Sequence, residues 1–206
     1  MLQQTQVSRV VGFYDRFLER FPTLGAVARA RPAQVREAWQ GLGYYARARN
    51  LHKLARDVSL PGGDARMPDD PAALLELPGI GRYTAGAVAS FAFEKRAPLV
   101  DTNVARVLRR VFAPDVNPKS SRGQRLLWEI ASSLLPRTGK ATWTHNQALM
   151  EVGALVCTAR IMRCDDCPVR RFCATARDAQ APSPRSRIRY KPLIPGPQSK
   201  VQRPGA

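Results

Sequence analysis

The chain has 206 residues, and its 33 Lys and Arg against 16 Asp and Glu give a formal net charge of +17. Such an excess favours a polyanionic partner, because each neutralised phosphate releases condensed counterions, and the length suffices to bury a core in one domain or two small ones. No run of about 20 apolar residues is present to cross a membrane, and no basic segment followed by an apolar run points to secretion.

Apolar spacing is helical nearly throughout, and few segments alternate with period two, so the chain reads as all-α. Val7, Val10, Val11, Tyr14, Phe17, Leu18 and Phe21 recur at intervals of three and four and share one helical face. After a Gly41-Leu42-Gly43 break the pattern resumes with Leu51, Leu54, Ala55 and Val58. Further amphipathic runs cover about 82–93, 102–112, 122–135 and 143–156. Pro22, Pro32, Pro61-Gly62-Gly63, Pro78-Gly79, Pro114 and Pro118 punctuate these runs. From 181 to 206 the sequence turns Pro-rich and basic with almost no apolar periodicity, which predicts an extended, disordered tail.

Three segments carry chemistry. In Leu75-Glu76-Leu77-Pro78-Gly79-Ile80-Gly81-Arg82-Tyr83-Thr84-Ala85, Pro78 ends a helix and Gly79 supplies a backbone angle closed to other residues. Gly81 removes the side chain where a second helix starts. Backbone N–H groups at that helix start can meet a DNA phosphate, although a plain helix–turn–helix connection would use the same glycines. In Val100-Asp101-Thr102-Asn103-Val104, Asp101 opens a helix whose apolar face includes Val104, Val107, Leu108 and Val111. Capping alone would justify an aspartate there, and the same position favours negative charge. All four cysteines fall in Cys157-x6-Cys164-x2-Cys167-x5-Cys173. Crowded into one segment, they argue against a disulfide framework and for one metal centre in a reducing cytosol. Most zinc folds use two short Cys-x2-Cys chelates, and only one such pair occurs here.

Together with Met1-Leu2-Gln3-Gln4-Thr5-Gln6-Val7 and Gly41-Leu42-Gly43-Tyr44-Tyr45-Ala46-Arg47-Ala48-Arg49-Asn50, these segments resemble adenine DNA glycosylases of the MutY type. That family lies in the helix-hairpin-helix superfamily of endonuclease III, and the resemblance covers about residues 1–176. It implies an all-α, two-lobed fold: a six-helix barrel over 1–101 containing the hairpin, a helical 4Fe-4S cluster domain over 102–178, and the basic tail over 179–206. In the family that tail is the place of a linker to a Nudix-like domain, which is not expected here. The cysteine spacing is that of the family's cluster, so Cys157, Cys164, Cys167 and Cys173 are the expected ligands.

The resemblance also assigns roles. Gly79 and Gly81 belong to a hairpin that contacts the DNA backbone without reading sequence, and whose carbonyls often hold a monovalent cation. Tyr83 stands where bifunctional relatives carry a lysine nucleophile; a phenol forms no imine, so a monofunctional enzyme is expected. Asp101 is the carboxylate that stabilises an oxocarbenium-like transition state, with a covalent sugar intermediate as an option, and Asn103 supports it by hydrogen bonding. Thr102 departs from the glycine usual in the family. Gln3 and Gln4 probe the space of the flipped base and its opposite guanine, and Tyr44 wedges into the stack. Arg160 and Arg163, on the loop between the first two cysteines, face phosphate.

The implied partner is double-stranded DNA with a flipped adenine, the implied state a cytoplasmic, nucleoid-associated monomer without membrane contact. The implied reaction is hydrolysis of the N-glycosidic bond of adenine opposite 8-oxoguanine or guanine. In the family a glutamate two residues before the Met-Leu-Gln-Gln segment protonates the adenine, a position upstream of Met1; Glu37 belongs to another segment. The expectation is therefore DNA binding with excision slow or absent, since general acid catalysis contributes about 10²–10⁴ in rate. Rival readings are a mismatch thymine glycosylase, an endonuclease III-like enzyme, or a non-catalytic DNA-binding module.

Overall fold

The computed structural model describes residues 1–59 and 65–178. In chain order the helices are α1 (Val7–Arg20), α2 (Leu24–Arg29), α3 (Pro32–Ala38), α4 (Ala46–Asp57), α5 (Pro71–Leu75), α6 (Arg82–Phe91), α7 (Thr102–Phe112), α8 (Ser121–Ser133), α9 (Gly139–Glu151) and α10 (Ala174–Asp178). Among the described residues, extended pairing is limited to two isolated bridges, Ser59 with Ala65 and Cys157 with Met162, and no helix is long and apolar enough to cross a membrane. The expected tail and the Pro61-Gly62-Gly63 break lie outside the described residues.

Side-chain caps fix many of the helix starts. Thr23, Asp70, Asp101, Ser120 and Thr138 each accept a hydrogen bond from a first-turn backbone N–H, at 2.7–3.2 Å, worth about 1 kcal/mol apiece. Pro32 and Pro71 sit in the first turns of α3 and α5, where a missing N–H costs nothing. These local signals explain why α2, α3 and α5 exist although they are too short to display a helical period.

Apolar side chains gather in three clusters. Val10, Phe17, Phe21, Val27, Val35, Trp39, Leu42, Ala48 and Ala55 join α1–α4. Leu74, Ala85, Ala89 and Ala97 unite the hairpin helices with the strip after α6. Leu99, Val104, Leu108, Leu127 and Ala131 pack α7 on α8. The Asn146 amide of α9 donates to Ser90 Oγ at 2.9 Å and to the Ala97 carbonyl at 3.0 Å, both buried, which locks α9 on α6.

Helix α1 departs from the expected single face. Val10, Phe17 and Phe21 are buried, but Val7, Val11, Tyr14 and Leu18 stay 41–65% exposed. The exposed set does not pack into the α1–α4 core; Val7, Val11 and Tyr14 border a groove shared with Leu51, Leu54, Pro78 and Ile80. The run expected over 143–156 also differs. It is α9 as far as Glu151, followed by one π-helical turn, Val152–Val156, that delivers Cys157.

Candidate active site and nucleic-acid interface

Asp101 is the N-cap of α7, and both of its oxygens are engaged. Oδ1 accepts from the Val104 backbone N–H at 2.7 Å and Oδ2 from the Asn103 amide at 3.2 Å. The carboxylate is thus aimed by its own helix before any ligand arrives. Tyr83, in the first turn of α6, is half-buried beside it. Burial first, and the Asp101 charge second, push its phenol above the usual tyrosine value, so it remains a neutral O–H donor over the physiological range.

Asp101 and Tyr83 line an open cleft of roughly 2080 Å³ together with Gln3, Gln4 and Tyr44. Five residues singled out from separate stretches of sequence therefore face one space, and Asn103 stands directly behind Asp101. Gln4 and Tyr44 adopt left-handed backbone conformations, φ +58° and +49°, uncommon for residues with a side chain. Tyr44 is 62% exposed. Gln3 Nε2 donates to Thr84 Oγ1 of α6 at 3.3 Å, tying the N-terminal loop to the hairpin.

The hairpin turn has Gly79 at φ +79°, and a Cβ there would also meet Asn50 Cβ at 2.8 Å. Gly81 is the N-cap of α6, and no side chain caps this helix. Its first-turn N–H groups are therefore open to an anion, unlike those of α7, α8 and α9.

Several cleft residues gave no signal of their own in the sequence. The Arg82 guanidinium lies 4.0 Å over the Trp128 ring of α8, and both line the cleft with Gln124. Arg47 reaches from α4 to the two loops that carry Gln4 and Tyr44.

Behind Asp101, α7 is docked on the segment that carries the first cysteine. Arg106 donates to Asn103 Oδ1 at 2.8 Å, to the Gly153 carbonyl at 2.7 Å and to the Cys157 carbonyl at 2.9 Å. Gly153 permits this approach, because a Cβ there would sit 2.8 Å from Asn103 Cβ. One turn further, Arg110 donates to Cys157 Sγ at 3.2 Å and to the Thr158 carbonyl at 2.7 Å.

Cys157, Cys164, Cys167 and Cys173 line one pocket of roughly 420 Å³, floored by Val107, Val111 and Val152. Burial chiefly, and the neighbouring cysteine charges in addition, push the Cys164 and Cys167 thiols up. Among the described residues no three His, Cys, Asp or Glu side chains converge as one metal ion requires. Four thiols around one largely apolar pocket are the donor set that a 4Fe-4S group takes. Arg160 is exposed on the intervening loop, whereas Arg163 is half-buried and lines the cysteine pocket.

A family model described as HhH-GPD superfamily base excision DNA repair protein matches residues 1–133. The chain belongs to that superfamily. It is 45% identical over 175 residues to the adenine DNA glycosylase of Rattus norvegicus, covering 84% of this chain and 33% of that one. It is 47% identical over 171 residues to the adenine DNA glycosylase of Mycolicibacterium smegmatis, covering 82% and 56%. The chain thus spans between a third and somewhat over half the length of these curated relatives. Among solved structures, a thermostable thymine-DNA glycosylase superposes with a TM-score of 0.75 at 30% identity, covering 86% of this chain and 81% of that one. A trapped endonuclease III–DNA covalent intermediate gives 0.69 at 26% identity, covering 85% and 79%. The mostly helical fold of endonuclease III is therefore the fold of this chain.

Proposed function

We propose that this chain is the catalytic region of a monofunctional DNA glycosylase that removes adenine mispaired with 8-oxoguanine or guanine. The observation that carries this reading is the convergence of Gln3, Gln4 and Tyr44 with Tyr83 and Asp101 on one cleft. The duplex lies across the cleft, its backbone held by the open N-terminus of α6 at Gly79 and Gly81, and by Arg160 and Arg163. The hairpin carbonyls offer a monovalent cation its site. Tyr44 enters the stack, Gln3 and Gln4 occupy the vacated space, and the adenine nucleotide turns into the cleft. The barrel lobe ends near Asp101, and the lobe that follows carries the cysteines.

In the reaction the bond between the sugar C1′ and the adenine N9 breaks, and its electron pair leaves with the base, which takes up a proton. Positive charge develops on the sugar, where the fixed Asp101 carboxylate stabilises it without reorganising. Water then adds to C1′ and loses a proton, leaving an abasic site. Tyr83 supplies an O–H donor beside Asp101 and, lacking an amine, no lyase step. Among the described residues Asp101 is the one carboxylate lining the cleft. Cys157, Cys164, Cys167 and Cys173 would hold a 4Fe-4S cluster, whose contribution when bound is to fix the 157–173 segment. Arg106 and Gly153 seat that segment against Asn103.

Single-turnover base release tests the reading. A duplex with one A:8-oxoguanine pair is expected to be bound and to lose adenine, with no strand cleavage. Thymine release from a T:G duplex in preference would transfer the reading to a thymine glycosylase, which the 30% identical solved structure makes the rival to measure. Binding of both duplexes with equal affinity and release from neither would leave only a DNA-binding module.

A further inference from the structure

Gln4 and Tyr44 are two of the three non-glycine residues with positive φ among the described residues. Such conformations persist only where the surroundings over-determine them. The carbonyl immediately before each is held by the same side chain. Arg47 Nη1 donates to the Gln3 carbonyl and also to that of Met1, while Nη2 donates to the Gly43 carbonyl at 3.3 Å and to Thr5 Oγ1 at 3.0 Å. The Gly43 carbonyl takes a second bond from Nε1 of Trp39 at 3.2 Å, and Trp39 is 2% exposed. The guanidinium carbon lies 5.5 Å from the Trp39 ring centroid and 5.4 Å from that of Tyr44. One side chain therefore links the buried α1–α4 core to two exposed loops about 40 residues apart in sequence.

We infer that Arg47 is a positioning residue that fixes Gln4 and Tyr44 in the backbone conformations that present them to the duplex. The inference rests on the reading that those two side chains probe DNA. Arg47 makes no ion pair with a carboxylate among the described residues. Both terminal nitrogens are occupied by protein oxygens and Nε, which has no partner, is buried, so the guanidinium is not free to hold a phosphate. Lysine keeps the charge but cannot span four acceptors from one planar fork. The signature of Arg47 is therefore discrimination between duplexes, separate from electrostatic affinity.

The test measures binding of the full chain to a duplex with one A:8-oxoguanine pair and to its A:T counterpart across a salt series. Wild type is compared with Arg47→Lys, Arg47→Met, Tyr44→Ala and Gln4→Ala. Arg47→Lys is expected to lower the affinity ratio about tenfold with the salt slope unchanged. The Arg47→Lys/Tyr44→Ala double variant is expected to discriminate no worse than Tyr44→Ala alone. If Arg47→Lys proves unfolded by circular dichroism, Thr5→Val replaces it. That change removes one acceptor from an exposed loop and is expected to lower the ratio about twofold to threefold. A ratio kept by Arg47→Lys (or Thr5→Val) but lost in Tyr44→Ala overturns the Arg47 inference and leaves the reading of the cleft intact. A ratio kept in Tyr44→Ala and Gln4→Ala overturns the reading itself. A salt slope lower by about one in Arg47→Met with an unchanged ratio makes Arg47 a phosphate contact and also overturns the inference.

Discussion

Asp101 and Tyr44 face the same cleft, yet the chain holds them in opposite ways. Asp101 caps a helix whose Val104 and Leu108 are fully buried; Asn103, Arg106 and Gly153 stand behind it in successive contact. Tyr44 is exposed on a glycine-flanked loop in a left-handed conformation, and its neighbouring carbonyl hangs on Arg47 and Trp39. The difference follows from the tasks proposed for the two walls. Stabilising a developing cation rewards a charge that does not move. Entering a base stack requires an apolar ring standing clear of the protein, which burial would defeat.

If the chemical wall works by preorganisation, the largest effect comes from Asp101→Asn. Asparagine still caps α7, so the fold and duplex binding should persist while single-turnover release falls by about 10²–10³. A fall in binding of the same size would mean the residue is only structural. Gly153→Val, next in size, tests the backing of that wall. Its side chain has no room against Asn103, and such overpacking costs about 1–3 kcal/mol. We expect a lower melting temperature together with slower release, and unchanged discrimination between duplexes. Loss of discrimination would show that the two walls are not separate.

Tyr83→Phe should slow release by about tenfold, the size expected if the phenol O–H beside Asp101 donates to a charged group during the reaction. The raised Tyr83 value keeps the phenol protonated beyond the ordinary pKa of about 10. The pH–rate profile of the wild type should accordingly lack an alkaline limb below that pH.

The smallest effect concerns α9, which packs on α6 and α7. Burial pushes the His145 imidazole below its usual value, and its Nε2 is buried without a partner. Protonation then favours the unfolded chain, so stability present above the unfolded value of about 6.5 is lost as pH falls below it. His145→Phe should flatten the melting temperature between pH 7 and 5; an equal slope in both proteins would assign the acid sensitivity elsewhere.

What could be read in the sequence follows the same division. Asp101, Tyr83 and the four cysteines belong to short segments whose local spacing dictates their placement, and the structure sets Tyr83 against Asp101 and gathers the cysteines on one pocket. Arg47, Arg106, Gly153 and Trp128 act through contacts between distant segments. An arginine in Tyr44-Tyr45-Ala46-Arg47 looks like any basic surface residue until Met1, Gln3 and Thr5 fold over it. The face of α1 misled for a related reason: periodicity reports which side chains share a side of a helix, and packing decides how much of that side is covered. The π-helical turn at Val152–Val156 continues an apolar helical pattern, so nothing in its sequence marked the change of pitch that aims Cys157.

The most direct test of the two-wall account is the fluorescence of 2-aminopurine placed opposite 8-oxoguanine, quenched in the stack and bright when extruded. The account predicts that Asp101→Asn gives the full fluorescence rise on binding with base release suppressed, while Tyr44→Ala binds the duplex with little rise. A full rise with Tyr44→Ala, or its loss with Asp101→Asn, would contradict it.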